Sequence, residues 1–234
     1  GTADGLSESK INQYKGEAYF MLGFAYGELT TYYGDCVLNK GMTLDEAYQA
    51  VRSPKSEVLA YAYECLDKAA EYLPDSYKAQ QRPTKGAALG FKARFALFHE
   101  DWQTAVDASE KCMQLGVYKL HDNYGEMFKS NSSPEFMFYF KGDLTLKKGY
   151  SFMSNVRDFV IRKVGGHCNQ SPSLELFCSY TCTDGRPIDQ SPLYNPKDPF
   201  ANRDPRLAMT IQPFKTKYSS DYADYEASKK DGTF

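Results

Sequence analysis

The chain has 234 residues, 42% of them hydrophobic and 25% charged, which allows one sizeable domain or two small ones with a real core and excludes a disordered tail. Its 28 basic and 30 acidic side chains leave a net charge of −2, so the balance carries no global signal for nucleic acid. No apolar run approaches the roughly 18 residues of a membrane span. The unusual feature is aromatic: 19 tyrosines and 15 phenylalanines beside a single tryptophan. Tyrosine joins an apolar ring to a polar tip, which suits helix packing and also sugar or peptide surfaces.

Periodicity predicts helices near 11–33, 54–73, 84–99 and 101–115. In the first, Tyr19, Leu22, Tyr26, Leu29 and Tyr33 recur at three- and four-residue steps and give one aromatic-rich face, stopped by Gly34-Asp35. A stretch containing Gly41 leads to the second, where Pro54 suits a first-turn position and Val58, Ala62, Leu66, Ala69 and Leu73 share a face. Thr84 can cap the third, which carries Ala88, Phe91, Phe95 and Phe98. Asp101 can cap the fourth, which carries Trp102, Ala105, Cys112 and Leu115 and ends at Gly116. His99 falls at a helix end, where capping accounts for it.

These helices contain a repeat. Leu22-Gly23-Phe24-Ala25-Tyr26 is similar to the L-G-x-x-Y of a tetratricopeptide first helix, and Ala62, Leu66, Ala69 and Pro74 to the spacing of its second. A second copy places Ala93 at the glycine position and Ala105 twelve residues later, with Asp101-Trp102 at the turn, where Trp102 reads as structural. In the first copy Gly23 and Ala62 are 39 residues apart, so a long loop is inserted between its helices. The fold expected is mainly α, built of tetratricopeptide-like helical hairpins over 1–117, with a loop-rich, irregular region over 118–234 packed on it.

In that second region, Glu135 to Phe140 is an aromatic run compatible with a buried strand or a short helix. Gly165-Gly166, Ser171-Pro172, Asp184-Gly185, Arg186-Pro187 and Asn195-Pro196 punctuate the rest as turns. The six cysteines are too sparse for a disulfide scaffold, and Cys65 and Cys112 are expected as buried free thiols on helix stripes. Cys168, Cys178 and Cys182 cluster beside His167. Zinc sites usually show tighter paired spacing, so no metal site is assigned, and a disulfide within the trio remains the alternative outside the cytosol.

Several segments, in order, resemble the SusD/RagB family of nutrient-binding lipoproteins of Bacteroidetes. Tyr33-Gly34-Asp35-Cys36-Val37-Leu38 resembles its Y-G-D-[VI]-P-L, and Ser53-Pro54-Lys55-Ser56-Glu57-Val58 its S-P-x-x-E-V. Arg82-Pro83-Thr84-Lys85-Gly86-Ala87-Ala88, continued by Lys92-Ala93-Arg94, is similar to its [RT]-A-T-K-G-A-A segment, and Asp101-Trp102 with Ala105 to its D-[WY]-x-x-A turn. Pro172-Ser173-Leu174-Glu175-Leu176, Asp184-Gly185-Arg186-Pro187-Ile188 and Asn202-Arg203-Asp204-Pro205-Arg206-Leu207 resemble its later P-S-x-E-L, D-G-x-P-I and N-R-D-P-R-L blocks. Cys36-Val37 departs from the apolar residue plus proline, and Phe177 to Cys182 from a more aliphatic run.

The resemblance implies a surface-exposed outer-membrane protein that captures an oligosaccharide or other nutrient and delivers it to a TonB-dependent transporter of the SusC type. It implies a lipid anchor on an N-terminal cysteine that this chain lacks, a longer full-length chain extending past both ends, no cofactor and no catalysis. Sugar capture needs flat aromatic faces and polar partners for hydroxyls. From the loops alone, the candidate ligand residues are Phe152, Asn155, Arg157, Asn169 and Tyr180. Two other readings compete: an intracellular tetratricopeptide adaptor, which would need a continuous array, and a glycan-acting enzyme, whose carboxylates can be distant in sequence. No G-x-S-x-G, H-E-x-x-H, Walker or G-x-G-x-x-G motif is present.

Overall fold

The computed structural model describes residues 5–77, 82–128, 132–139, 158, 167 and 169–213. The chain divides into two compact units, Gly1–His121 with Ser132–Phe140, and Asp122–Asn131 with Lys141–Phe234. The described residues are mainly helical and contain no strand, only isolated bridges between Cys36 and Ser53 and between Cys182 and Arg203.

The first unit holds α1 (Glu8–Tyr33), α2 (Leu44–Gln49), α3 (Lys55–Tyr72), α4 (Lys85–Phe98) and α5 (Trp102–Gln114). The helices pair as the repeat spacing expects. Gly16 of α1 faces Leu73 at the end of α3, while Gly23 faces Ala62 and Leu66 further back along it, so the two run antiparallel. In the second pair, the Gly86 carbonyl at the start of α4 lies 3.8 Å from Cys112 Sγ near the end of α5. Val58, Ala62, Leu66, Ala69 and Leu73 are all buried, as the stripe on α3 predicts.

The inward face of α1 coincides only in part with its aromatic-rich stripe: Tyr26 is buried and Tyr19 packs against the core. Gly16, Phe20, Gly23, Tyr26, Gly27 and Thr30 are buried, whereas Leu22, Leu29 and Tyr33 are exposed. The reason is distance between helices: a Cβ at Gly23 would lie 2.6 Å from Leu66 Cγ, and one at Gly27 would enter the Phe95 ring. The glycines let backbones approach, and Phe20 fills the space between them, its ring edge-on to Phe91 and Phe138 at 5.7 and 5.2 Å. Burying one such ring contributes about 1.5–3 kcal/mol. Phe98 and Trp102 are 59% and 60% exposed, while Ala96, Ala105 and Ala108 are buried.

The local signals explain how the helices start. Thr84 accepts from Ala87 N, and Asp101 from Thr104 N, as expected of caps. Pro54 is the N-cap of α3 rather than a first-turn residue and offers no side-chain bond. Asp35, twenty residues earlier in sequence, accepts from Lys55 N at 2.7 Å in its place. Gly34 makes this possible with φ +70°, turning the chain out of α1 toward α3. Thus the Tyr33-Gly34-Asp35 motif caps the next helix of its own pair. Helix α2 lies within the insertion read as loop, closed by a capping box between Thr43 and Glu46.

The second unit includes α6 (Tyr124–Met127), α7 (Leu174–Ser179) and α8 (Pro205–Thr210). Ser173 caps α7 and Asp204 caps α8, with Pro205 opening it, so two of the later motifs are helix starts. The turns expected at Asp184-Gly185 and Asn195-Pro196 are present.

Candidate functional site

A cavity of about 460 Å³ in the first unit is walled by three stretches: residues 75–77 with Arg82 and Thr84, Val117-Tyr118, and Ser132–Ser133 with Pro134 and 136–139. Backbone bonds close it: Lys85 N donates to Pro74 O at 3.0 Å, Lys119 N to Pro134 O at 3.1 Å, and Phe136 N to Ser133 O at 3.1 Å. His121 N donates to Glu135 Oε2 at 2.9 Å. Residues 132–139 therefore form neither strand nor helix but a turn-rich strap, whose backbone bonds to 119–121 replace a ladder. Phe138 points into the core against Phe20 and Phe91, and Phe136 and Tyr139 hold centroids 5.1 Å apart at 54°.

The polar groups of this cavity are specifically placed. Tyr118 and Thr84 share a hydrogen bond of 2.7 Å between hydroxyls. The Tyr118 ring lies where a Cβ on residue 86 would stand, so Gly86 admits it. Burial pushes its phenol pKa up, and the bond to Thr84 opposes the shift. The Tyr77 hydroxyl is buried, with the Gln13 and Glu17 side chains beside it. Burial first, then the Glu17 carboxylate, raise its pKa. Arg82 Nη1 donates to both oxygens of Glu17 at 2.8 and 2.6 Å, and Lys85 pairs with Asp75 at 3.2 Å.

A second, more open hollow of about 580 Å³ lies at the α1–α3 connection, lined by residues that include Lys40, Met42, Glu46 and Glu57. Asn39 Oδ1 shapes its rim by accepting from Gly41 N and Met42 N at 2.9 and 2.7 Å. Lys40 Nζ sits 4.6 Å from the Tyr61 ring centre, and Tyr61 is pushed up to about 12, chiefly by burial, so it stays a neutral donor.

Of the sequence-derived candidates, Phe152, Asn155 and Arg157 lie outside the described residues. Asn169 is exposed and donates from Nδ2 to Asp158 Oδ1 at 2.9 Å. Tyr180 is half-buried and donates its hydroxyl to Thr210 Oγ1 at 3.0 Å. Neither lines the two cavities. Sequence reasoning missed the first cavity because its walls looked like other things: Thr84 a cap, Tyr118 the start of the irregular region, and 135–140 a buried strand or short helix.

The second unit is organised around Arg203, which is 5% exposed. Its Nη2 donates to Phe177 O and Tyr180 O at 2.7 and 2.9 Å, and Nη1 to Pro199 O at 3.0 Å. The guanidinium also lies over Phe177 and Tyr194, 4.9 and 5.6 Å from their centroids. Cys182 N donates to Arg186 O, Thr183 N to Asn202 O and Asp204 N to Thr181 O, so the Asp184–Ile188 and Asn202–Leu207 motifs form one knot of turns. Cys178 and Cys182 are free thiols, and Cys168 lies outside the described residues. Cys65 is buried as expected, but Cys112 is only half-buried, its sulfur at 3.7 Å from Met137 Sδ. No group of three His, Cys, Asp or Glu side chains among the described residues could hold a metal ion, and no described helix is long and apolar enough to cross a membrane.

A family model described as SusD-like, "Starch-binding associating with outer membrane", matches residues 3–97. SusD-like protein P2 of Formosa agariphila is 24% identical over 195 residues, 76% of this chain and 38% of that protein. A SusD-like carbohydrate-binding protein of Bacteroides fragilis shares the fold over 88% of this chain and 41% of its own, at 25% identity and a TM-score of 0.72. The first part of the chain thus matches a SusD-like family model, and most of the chain shares a SusD-like fold. A second SusD-like structure from Bacteroides fragilis aligns over 88% of this chain and 44% of its own, at 26% identity and a TM-score of 0.66. The chain thus spans less than half the length of the relatives it matches. The family motifs read from its sequence have structural work: Asp35 caps a helix, Thr84 caps another, and Arg203 ties three carbonyls.

Proposed function

We propose that this chain is part of a cell-surface glycan-binding lipoprotein of the outer membrane, which captures oligosaccharide and passes it to a TonB-dependent transporter of the SusC type. The observation that carries the reading is the SusD-like fold, shared over most of the chain with a protein described as carbohydrate-binding. Aromatic and hydroxyl side chains at surface cavities supply the chemistry such binding needs. In this reading residues 1–117 form the helical platform and 118–234 the ligand-side region, with Phe152, Asn155, Arg157, Asn169 and Tyr180 as loop contacts. Binding, rather than bond cleavage, is the activity.

Calorimetric titration with a panel of neutral and acidic oligosaccharides tests it. Saturable binding to at least one class, with no new reducing ends after long incubation, is the expected result. Release of reducing ends would make the protein an enzyme, and silence across the panel would remove glycan from the reading. Co-purification with a SusC-type transporter co-expressed from the same genome tests delivery, and a complex that never forms would sink that part.

A further inference from the structure

We infer that the cavity walled by Tyr77, Tyr118, Phe136 and Tyr139 is a binding site for one unit of a neutral oligosaccharide. The inference rests on the glycan-binding reading above and deepens it by assigning a place and a ligand class. Its volume of about 460 Å³ falls within the roughly 300–1,000 Å³ of small-ligand sites. Rings from three stretches of chain line it, and the tilted Phe136–Tyr139 pair offers apolar faces for the C–H side of a pyranose.

Hydroxyl chemistry is present beside those faces. Tyr77 brings a buried hydroxyl, set beside the Gln13 and Glu17 side chains. Thr84 and Tyr118, joined at 2.7 Å, retain further acceptor capacity after their mutual bond. The frame is already held by backbone bonds from 74 to 85, 119 to 134 and 133 to 136, so little ordering cost falls on binding.

Charge decides the ligand class. Arg82 is engaged by both oxygens of Glu17, and Lys85 pairs with Asp75. Arg82, which lines the cavity, and Lys85, beside it, are therefore both already neutralised. A uronate or sulfated sugar would have to shed water without gaining an unpaired cation, whereas a neutral sugar meets rings and hydroxyls.

The test follows aromatic ¹H–¹³C shifts of the full chain during titration with maltoheptaose, laminarihexaose and an oligo-alginate. Shifts at Tyr77, Tyr118 and Phe136 with a neutral oligosaccharide, and none with alginate, are expected. Phe136→Ala should weaken neutral binding about tenfold, the scale of one lost aromatic contact. Tyr77→Phe keeps the ring and removes only the hydroxyl, and it should weaken binding about threefold, within the range of one hydrogen bond, with an unchanged melting temperature showing that the fold is kept. Neutral binding untouched by both variants but lost in Tyr180→Ala would overturn this site and leave the glycan-binding reading standing. Tighter binding of alginate than of either neutral ligand would overturn the ligand class. Binding of none of the three probes overturns the inference, and a wider calorimetric panel then decides separately whether the glycan reading survives.

Discussion

In the helical unit, stability is spread over many apolar contacts: Phe20, Val58, Leu66, Ala69, Ala88 and Phe95 are all at 2% exposure or less. In the second unit the buried apolar residues among those described are Met127, Cys182 and Leu207, and the turns between them converge on one guanidinium. Apolar burial is non-directional, so neighbours can repack around a modest change. Charge-assisted hydrogen bonds are directional, and a fork that reaches several carbonyls has no conservative substitute. The difference teaches that the motifs carry overlapping but unequal duties in the two regions: helix starts in both, and in the second a polar tie as well.

Removing the densest apolar contact should have the largest effect. Phe20→Ala is expected to cost about 3–5 kcal/mol, read from urea unfolding, with amide exchange accelerating in α1, α3 and α4. If exchange in 181–207 accelerated equally, the two units would not be separately stabilised. Next comes Arg203→Met, which leaves the carbonyls of Phe177, Tyr180 and Pro199 unpaired and should cost roughly 3 kcal/mol. Arg203→Lys should rescue little, since an ammonium cannot reproduce the fork. Full rescue by lysine would show that charge alone, and not geometry, holds the turns.

A smaller effect tests the close approach of helices. Gly27→Ala places a methyl in the Phe95 ring, so overpacking of about 1–3 kcal/mol should exceed the roughly 1 kcal/mol gained in helix propensity. Combining it with Phe95→Leu should recover part of the loss in a double-mutant cycle, and strict additivity would refute the contact. The smallest effect is acid-dependent. His99 caps α4 with Nε2 3.3 Å from Thr30 Oγ1, and burial, then Lys55, hold its pKa below the ordinary 6.5. The unfolded chain therefore takes up this proton first, so stability should fall as pH drops below about 6.5 and level off below the folded value. His99→Gln should flatten that slope in melting temperature between pH 7.5 and 5, and an unchanged slope would assign it elsewhere.

Much of the fold was legible along the chain because its signals are local. Thr84, Asp101, Ser173 and Asp204 each accept from an amide two or three residues ahead, so the side chain and the helix start it makes are neighbours in sequence. The α3 stripe and the pairing of α1 with α3 and α4 with α5 follow from spacing, since small residues at fixed intervals can only be satisfied by a close helix. Even α2 left a readable mark in Thr43 and Glu46, which was overlooked inside a segment read as loop. The candidate site was not legible, since Tyr77, Tyr118 and Phe136 come together from separated stretches and share no motif.

By itself, then, the sequence determined the four long helices, their order and their pairing, and the family that the motifs resemble, because each depends on residues within a few turns of one another. Only the tertiary structure decided which side of α1 turned inward. Periodicity weighs side chains, and it favoured the tyrosine and leucine stripe. Packing weighs distance, and the glycines won because no Cβ fits between α1 and its neighbours. The same holds for Asp35 at the start of α3, for the rings around Tyr77 and for Arg203 among three carbonyls. Each of these depends on groups distant in the chain arriving at hydrogen-bond or van der Waals range, and that arrangement exists only once the chain has folded.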